Sequence, residues 1–229
     1  MLNAAGAGHD VAIHDHLHIP TGWVWQPARS VPDRGAWPGT PATVAADGTY
    51  SAVIPTGASG PFVLEADNGT EKWVSVMADT TTPVANITSV SHLVAARLSP
   101  TGDPFALSTQ IASNPASVSA ASASAATKSV MDAMQPLASA LALPSTLNPL
   151  TSPFTTNGQG FDKMLDSIDV KIEPQGQRSK LEVTVNQAVS ETDALPDFVY
   201  QRWDCARVAR GSGRQTRAVG SLGFDPGSA

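Results

Sequence analysis

The sequence predicts an α+β fold: a small antiparallel β-sandwich, complete or incomplete, followed by a helical segment and a C-terminal β-hairpin, with irregular flanks. Two turn signals, Asp47-Gly48 and Asn68-Gly69, separate short runs in which apolar residues alternate. After Pro83 the apolar residues recur at helical spacing, and beyond residue 168 they alternate again. The apolar spacing thus changes from strand-like to helical and back to strand-like, and this order predicts an α+β fold.

The β-sandwich is predicted from a series of short extended segments. Residues 42–54 are expected to form strand, turn and strand, because Gly48 tolerates the positive φ that a tight turn after Asp47 demands. Residues 60–67 and 71–78 are expected to form a second hairpin around Asn68-Gly69. Strands of this length and spacing are typical of a small antiparallel sheet or sandwich.

The first helix is predicted in "NITSVSHLVAARLS", with Thr88 or Ser89 as its N-cap. Two further helix starts are expected at Asp103-Pro104 and Asn114-Pro115. Each pairs a capping side chain with proline at the first helical position, where proline's missing N–H does no harm.

The Ser/Ala-rich tract 117–127 has two interpretations. Alanine favours helix, so a helix is the prediction, with a flexible linker as the alternative. Val130 and Met134 continue an apolar helical face beyond this tract. Pro136 is then expected to kink the helix or to divide it in two.

A short helix and a hairpin are predicted after the loop 157–160. In "FDKMLDSI" the apolar residues fall at i, i+3, i+4 and i+7, which is typical of an amphipathic helix. "DVKIEPQGQRSKLEVTV" alternates on both sides of Pro174-Gln175-Gly176. Val170 and Ile172 are therefore expected to pair with a strand over 181–185.

Composition divides the chain into five segments: an irregular flank at 1–40, a β-sandwich fragment at 41–80, a helical segment at 81–155, a short helix plus β-hairpin at 156–199, and a disordered Arg/Gly-rich tail at 200–229. Neither flank shows apolar periodicity. Both have the composition expected when GC-rich DNA is translated in a wrong frame. A frameshifted or truncated product without function is therefore one hypothesis, and natural disordered tails are the other.

Overall composition excludes several classes of function. The net charge of −6 argues against a nucleic-acid partner. The single cysteine, Cys205, excludes an internal disulfide framework. No apolar run reaches the length of a transmembrane segment, and the first 20 residues lack the pattern of a secretory signal peptide. A chain complete as written would therefore be cytoplasmic.

The motifs "ADGTYSAVIP…GPFVLEA", "ANITSVSHLVAARL…GDP", "MQPLASALAL…LNPL…PFTTNGQGFDKMLDSIDVKI" and "LEVTV" carry a resemblance over residues 42–199. In this order they resemble exported proteobacterial proteins with a carboxypeptidase-regulatory-like domain, many of which are lipoproteins. The resemblance implies a transthyretin-like β-sandwich without the zinc ligands of the carboxypeptidases. It further implies a non-catalytic protein of the cell envelope or the extracellular space. An unidentified protein or cell-surface partner is expected for such a module.

The segment "HDVAIHDHLH" is the best metal candidate in the sequence. Imidazoles two residues apart on an extended segment, as at His14, His16 and His18, could share a face and bind zinc or nickel. The residues concerned are His9, His14, His16 and His18, beside Asp10 and Asp15. A closed site also needs fixed geometry and supporting hydrogen bonds, so adventitious metal affinity is the simpler interpretation.

Asp162, Asp166 and Asp169 cluster beside the loop 157–160. Asp162 and Asp166 are spaced i, i+4 on one helix face, where they could chelate Ca²⁺ or act as an acid/base pair. The simpler interpretation is a solvated polar face, with Asp162 favourably placed near the positive end of the helix dipole.

The sequence offers little for nucleophilic catalysis. Ser91 and His92 are adjacent, and neighbours on a helix point about 100° apart, so no dyad is expected; His92 is expected at the helix border. Cys205 lies in a tail without a nearby histidine. We therefore assign no catalytic, cofactor-binding or metal-ligating residue, and we expect no enzyme and no cofactor. The leading hypothesis is a non-enzymatic structural or binding module; the alternative is a metal-binding protein or metalloenzyme that uses the histidine-rich N-terminus.

Overall fold

The chain has an α+β fold in which small antiparallel sheets precede a run of helices and a further antiparallel sheet follows them. This confirms the predicted class and the C-terminal hairpin. The computed structural model describes residues 11–16, 24–26, 45, 48–54, 60–67, 71–79, 81, 84–175, 178–185 and 201–204.

The strands in chain order are β1 (Val11–His16), β2 (Val24–Gln26), β3 (Thr49–Ile54), β4 (Phe62–Asp67), β5 (Lys72–Met77), β6 (Ile168–Gln175), β7 (Arg178–Val185) and β8 (Gln201–Asp204). The helices are α1 (Ser89–Leu98), α2 (Leu107–Ser113), α3 (Ala120–Ala133), α4 (Gln135–Ala140) and α5 (Gly160–Asp166). Short 3₁₀ turns cover Pro104–Ala106 and Pro115–Ser117.

Among the described residues, the strands form three antiparallel sheets with strand orders β1-β3, β2-β4-β5 and β6-β7-β8. Three of the strands, β1, β2 and β8, lie in the flanks, where no strand is predicted from the sequence. They pair with strands of the central region: β1 with β3, β2 with β4, and β8 with β7. The flanks therefore add short edge strands to sheets whose other members the sequence predicts.

The turn before β3 has the hydrogen bonds of a hairpin with a glycine bulge. Gly48 N donates to Ala45 O at 2.9 Å, and Ala45 N donates to Thr49 O at 2.8 Å. Gly48 has φ +85°, a left-handed conformation that favours glycine. Residues 46 and 47, which include Asp47 of the predicted turn, lie outside the described residues, and the described partner of β3 is β1. Residues 42–44 lie outside the described residues.

The hairpin of β4 and β5 is buried on both faces. Val63 and Val76 are direct partners across the two strands and belong to the main core with the helices. Phe62 and Leu64 point to the opposite face and are also buried, at 5% and 4% exposure. Strands covered on both faces are near-continuously apolar, which explains the run "PFVLEA".

Helix α1 begins where the sequence predicts and lies at the centre of the core. Thr88 is the N-cap and forms a capping box with Ser91. Every residue from Ser89 to Ala96 is buried, including Leu93 at 0% exposure. The small side chains of this segment allow α1 to contact β5, α3, β6 and the 3₁₀ turn at Pro104–Ala106.

The remaining helix signals are confirmed at most positions and shifted at one. Asp103 Oδ1 accepts from Phe105 N at 2.9 Å, as expected of an N-cap, although the first turn is 3₁₀. Asn114 makes no side-chain cap bond, and the long helix instead begins after Ser119, which forms a capping box with Ser122. The Ser/Ala tract is helical from Ala120, and the helix is divided before Pro136, since α4 begins at Gln135.

The hairpin of β6 and β7 has the predicted register. Val170 pairs with Val183 and Ile172 with Leu181. Pro174 and Gln175 belong to β6, so this strand extends two residues further than the sequence suggested. Ser179 N donates to Thr101 O at 2.7 Å, which joins β7 to the loop after α1.

Replacement of Leu93 by alanine tests the central position of α1. Leu93→Ala should lower the free energy of unfolding by about 3 kcal/mol, because the side chain is fully buried and the cavity cannot collapse freely. Leu98→Ala, a matched change at a partly exposed position of the same helix, should cost distinctly less. Urea denaturation followed by circular dichroism measures both; equal losses would contradict this placement of α1.

Candidate functional site

His92 lies at the junction between α1 and β5. It is 7% exposed, and its Nδ1 accepts a hydrogen bond of 2.9 Å from the backbone N–H of Val74. Its ring also lies against that of Phe105, with centroids 5.5 Å apart and planes inclined by 58°. The expectation that His92 lies at the helix border is wrong, because α1 is buried on every side along Ser89–Ala96.

This hydrogen bond determines the protonation state of the imidazole. Nδ1 can accept from an N–H only when it carries no proton, so the proton of the neutral ring is on Nε2. Burial disfavours the charged form and lowers the pKa of His92 from 6.5 to about 4. His92 is therefore a neutral acceptor for the backbone of β5 at pH 7.

Ser91, the neighbour of His92, is committed to the start of α1. Its Oγ accepts from Thr88 N at 2.7 Å and donates to Thr88 O at 2.9 Å. Its own N–H donates to Thr88 Oγ1 at 3.1 Å. The hydroxyl of Ser91 and the imidazole of His92 are thus each engaged with a different backbone group.

Asp162 is buried at 3% exposure, so the expectation that it belongs to a solvated face is wrong. One of its oxygens, Oδ2, accepts 2.6 Å hydrogen bonds from the backbone N–H groups of both Asn157 and Gly158. Asp166 and Asp169 are exposed. Asp162 therefore fastens the loop before α5 onto the first turn of that helix.

The histidine-rich segment is described only in part. His14 and His16 belong to β1, in register with Ser51 and Thr49 of β3, and Asp15 lies between them. The strand provides the extended backbone that the metal hypothesis assumes. The members of the motif outside the described residues are His9, Asp10 and His18.

Two further features bear on the type of site. Within the described ranges, no three His, Cys, Asp or Glu residues are grouped so as to hold a metal ion. No helix in the same ranges combines the length and the apolar character that crossing a membrane requires. Cys205 lies outside the described residues.

Comparison of the chain with protein-family models, curated proteins and solved structures gives no match. The residues and their geometry are therefore the basis for any functional proposal.

Sequence reasoning missed the roles of His92 and Asp162 because each depends on a contact that spacing does not reveal. Val74 and His92 are 18 residues apart and belong to different element types. A signal was nevertheless present: from Ser89 to Ala96 the sequence has no charged residue and many small ones, which is typical of a helix buried all round. For Asp162, the preceding Asn-Gly-Gln-Gly loop offers backbone donors near a helix start.

The neutral state of His92 predicts a loss of stability in mild acid. The unfolded chain protonates this histidine near pH 6.5, whereas the folded protein does so only near pH 4. Between these values the unfolded state binds more protons, so stability falls as the pH is lowered, by roughly 3 kcal/mol in all. Urea denaturation at intervals from pH 7 to pH 4 measures the effect.

The matched variant is His92→Asn, whose side-chain oxygen can accept from Val74 N–H but does not titrate. Carboxylates titrate in both proteins, so their contribution cancels in the difference between the two stability curves. That difference should change steadily between pH 6.5 and pH 4. A difference that stays constant over this range would show that His92 is not held neutral by the fold.

Proposed function

We propose that this chain is a non-enzymatic structural or binding module of the bacterial cell envelope, with a protein or cell-surface partner. Its sheets would serve as a scaffold of the carboxypeptidase-regulatory-like type that the sequence resembles. The proposal assigns no catalytic residue and no cofactor.

The observation that carries the proposal is the hydrogen bond from Val74 N–H to His92 Nδ1 inside the core. A general base has to reach a substrate proton, whereas this imidazole accepts from the backbone of a strand. Ser91 and Asp162 are used in the same way, on Thr88 and on the loop 157–158. These three side chains are therefore engaged in holding the scaffold together.

The β-rich part of the chain supports the kind of module proposed. β4 and β5 form a hairpin that is buried on both faces, as expected of strands that other elements cover on each side. Tyr50 of β3 is buried as well, and its hydroxyl donates to Ala85 O, just before α1. These buried contacts favour a rigid body. Such a body would bind its partner through its surface.

Co-sedimentation with purified envelope fractions tests the proposal. The protein is incubated with peptidoglycan sacculi or with outer-membrane vesicles and then centrifuged. We expect saturable pelleting with one of the two fractions, and no pelleting of a control protein of similar size and charge. Absence of saturable binding to both fractions would reject an envelope module.

Enzymatic activity is tested in parallel with nitrophenyl esters and a mixed peptide substrate. Any slow hydrolysis should be the same in the wild type and in Ser91→Ala, because the Ser91 hydroxyl is engaged in the capping box. Ser122→Ala is the matched control, since it removes the equivalent hydroxyl of the second capping box. Turnover that disappears only in a folded Ser91→Ala variant would overturn the non-enzymatic assignment.

A metal-binding protein is the second candidate, because β1 holds His14 and His16 as alternate residues of one strand. If the segment is a physiological site, Zn²⁺ should bind with a Kd well below the millimolar range, and His14→Ala/His16→Ala should abolish binding. Isothermal titration at neutral pH measures this. Binding no tighter than about millimolar, or unchanged by the double substitution, would remove the metal hypothesis.

A further inference from the structure

The loop that leads into α5 contains an Asn-Gly pair, Asn157-Gly158, which is exposed to solvent. In such a pair the backbone nitrogen of glycine can attack the side-chain carbonyl carbon of asparagine, since glycine has no side chain to hinder the approach. The N–Cγ bond forms, the Cγ–Nδ2 bond breaks and ammonia leaves, giving a cyclic succinimide. Water then opens the ring to aspartate or isoaspartate.

Two hydrogen bonds act on this reaction in opposite directions. Asn157 Oδ1 accepts from Gln159 N at 3.0 Å, which draws electron density from the carbon that is attacked and so favours the reaction. Gly158 N–H donates to Asp162 Oδ2 at 2.6 Å. The nitrogen must lose this proton to become the nucleophile, and the nearby carboxylate opposes the negative charge that would develop there.

The blocking contact is built into the fold. Asp162 is 3% exposed, and the same oxygen accepts from Asn157 N at 2.6 Å, so both N–H groups of the pair converge on one buried acceptor. Gly158 has φ +68° and Gly160 φ +57°, and these left-handed conformations turn the loop back onto the helix. The block therefore holds for as long as α5 and its loop are folded.

We propose that Asn157-Gly158 is a succinimide-forming modification site that Asp162 keeps inactive in the folded protein. Local opening of the loop releases Gly158 N–H and starts the reaction. The change is then irreversible because ammonia has left. The isoaspartyl product also lengthens the backbone by one carbon and adds a negative charge beside Asp162. Both effects disfavour re-formation of the paired hydrogen bonds. The modified fraction at residue 157 thus increases with the total time that this loop has spent open.

Peptide mass mapping of protein incubated at mildly alkaline pH tests the proposal. The deamidated fraction at residue 157 should grow at least about tenfold more slowly in the folded protein than in urea-unfolded protein, as loss of a charge-assisted hydrogen bond implies. The second Asn-Gly pair of the chain, Asn68-Gly69, is an internal reference: in unfolded protein both pairs should react at similar rates. Equal rates at residue 157 in folded and unfolded protein would overturn the proposal.

Substitutions separate the role of Asp162 from general stability. Asp162→Ala should bring the rate at residue 157 close to that of the unfolded chain, while Asp166→Ala removes an exposed carboxylate of the same helix and should leave the rate unchanged. Asp162→Asn keeps the shape and an acceptor oxygen without the charge, and should give an intermediate rate. Should Asp162→Ala not fold, Asp162→Asn decides: a rate equal to that of the wild type would show that the carboxylate charge does not protect the site.

Discussion

The hydrogen bond between Val74 N–H and His92 Nδ1 is the interaction on which the arrangement of helices and sheet depends. A strand that lies beside a helix presents backbone N–H groups to that helix. The backbone groups of the helix are already paired with one another and cannot accept them. A donor left unpaired in the core costs about 1–3 kcal/mol, so a side-chain acceptor has to come from the helix. Histidine supplies one on a flat ring that also packs against Phe105.

This junction explains why α1 is buried all round and how the second half of the chain is attached to it. Small residues such as Ser89 and Ala95 let neighbouring elements approach closely, and α3 and β6 contact α1 directly. Just before the helix, Asn86 N donates to Leu150 O and Asn86 Nδ2 to Ser152 O, each at 2.8 Å. The segment 150–152 is therefore held beside the start of α1 by one backbone and one side-chain hydrogen bond from Asn86.

The sequence predicts those features whose cause is local. The Asp103 cap, the division of the helix before Pro136 and the register of the last hairpin follow from residues a few positions apart. The flank strands β1 and β8 were missed because their stability comes from partners far along the chain. His92 was assigned to the helix border and Asp162 to a solvated face, because composition does not show which backbone N–H groups these side chains accept from in the folded chain.

The polar composition of the chain follows from the same need to give each backbone N–H group a hydrogen-bond acceptor. Most helices are short, so the protein has many element ends whose backbone N–H groups lack intrahelical partners. Thr88, Ser119 and Asp103 each accept from such a group, and Asp162 accepts from two N–H groups of the loop before α5. Hydroxyls and single carboxylates accept these hydrogen bonds without the cost of desolvating an ion pair. A folded domain that uses them needs few charged residues. Side chains used in this way hold the backbone in place, and we infer that recognition by this protein depends on the surface they shape.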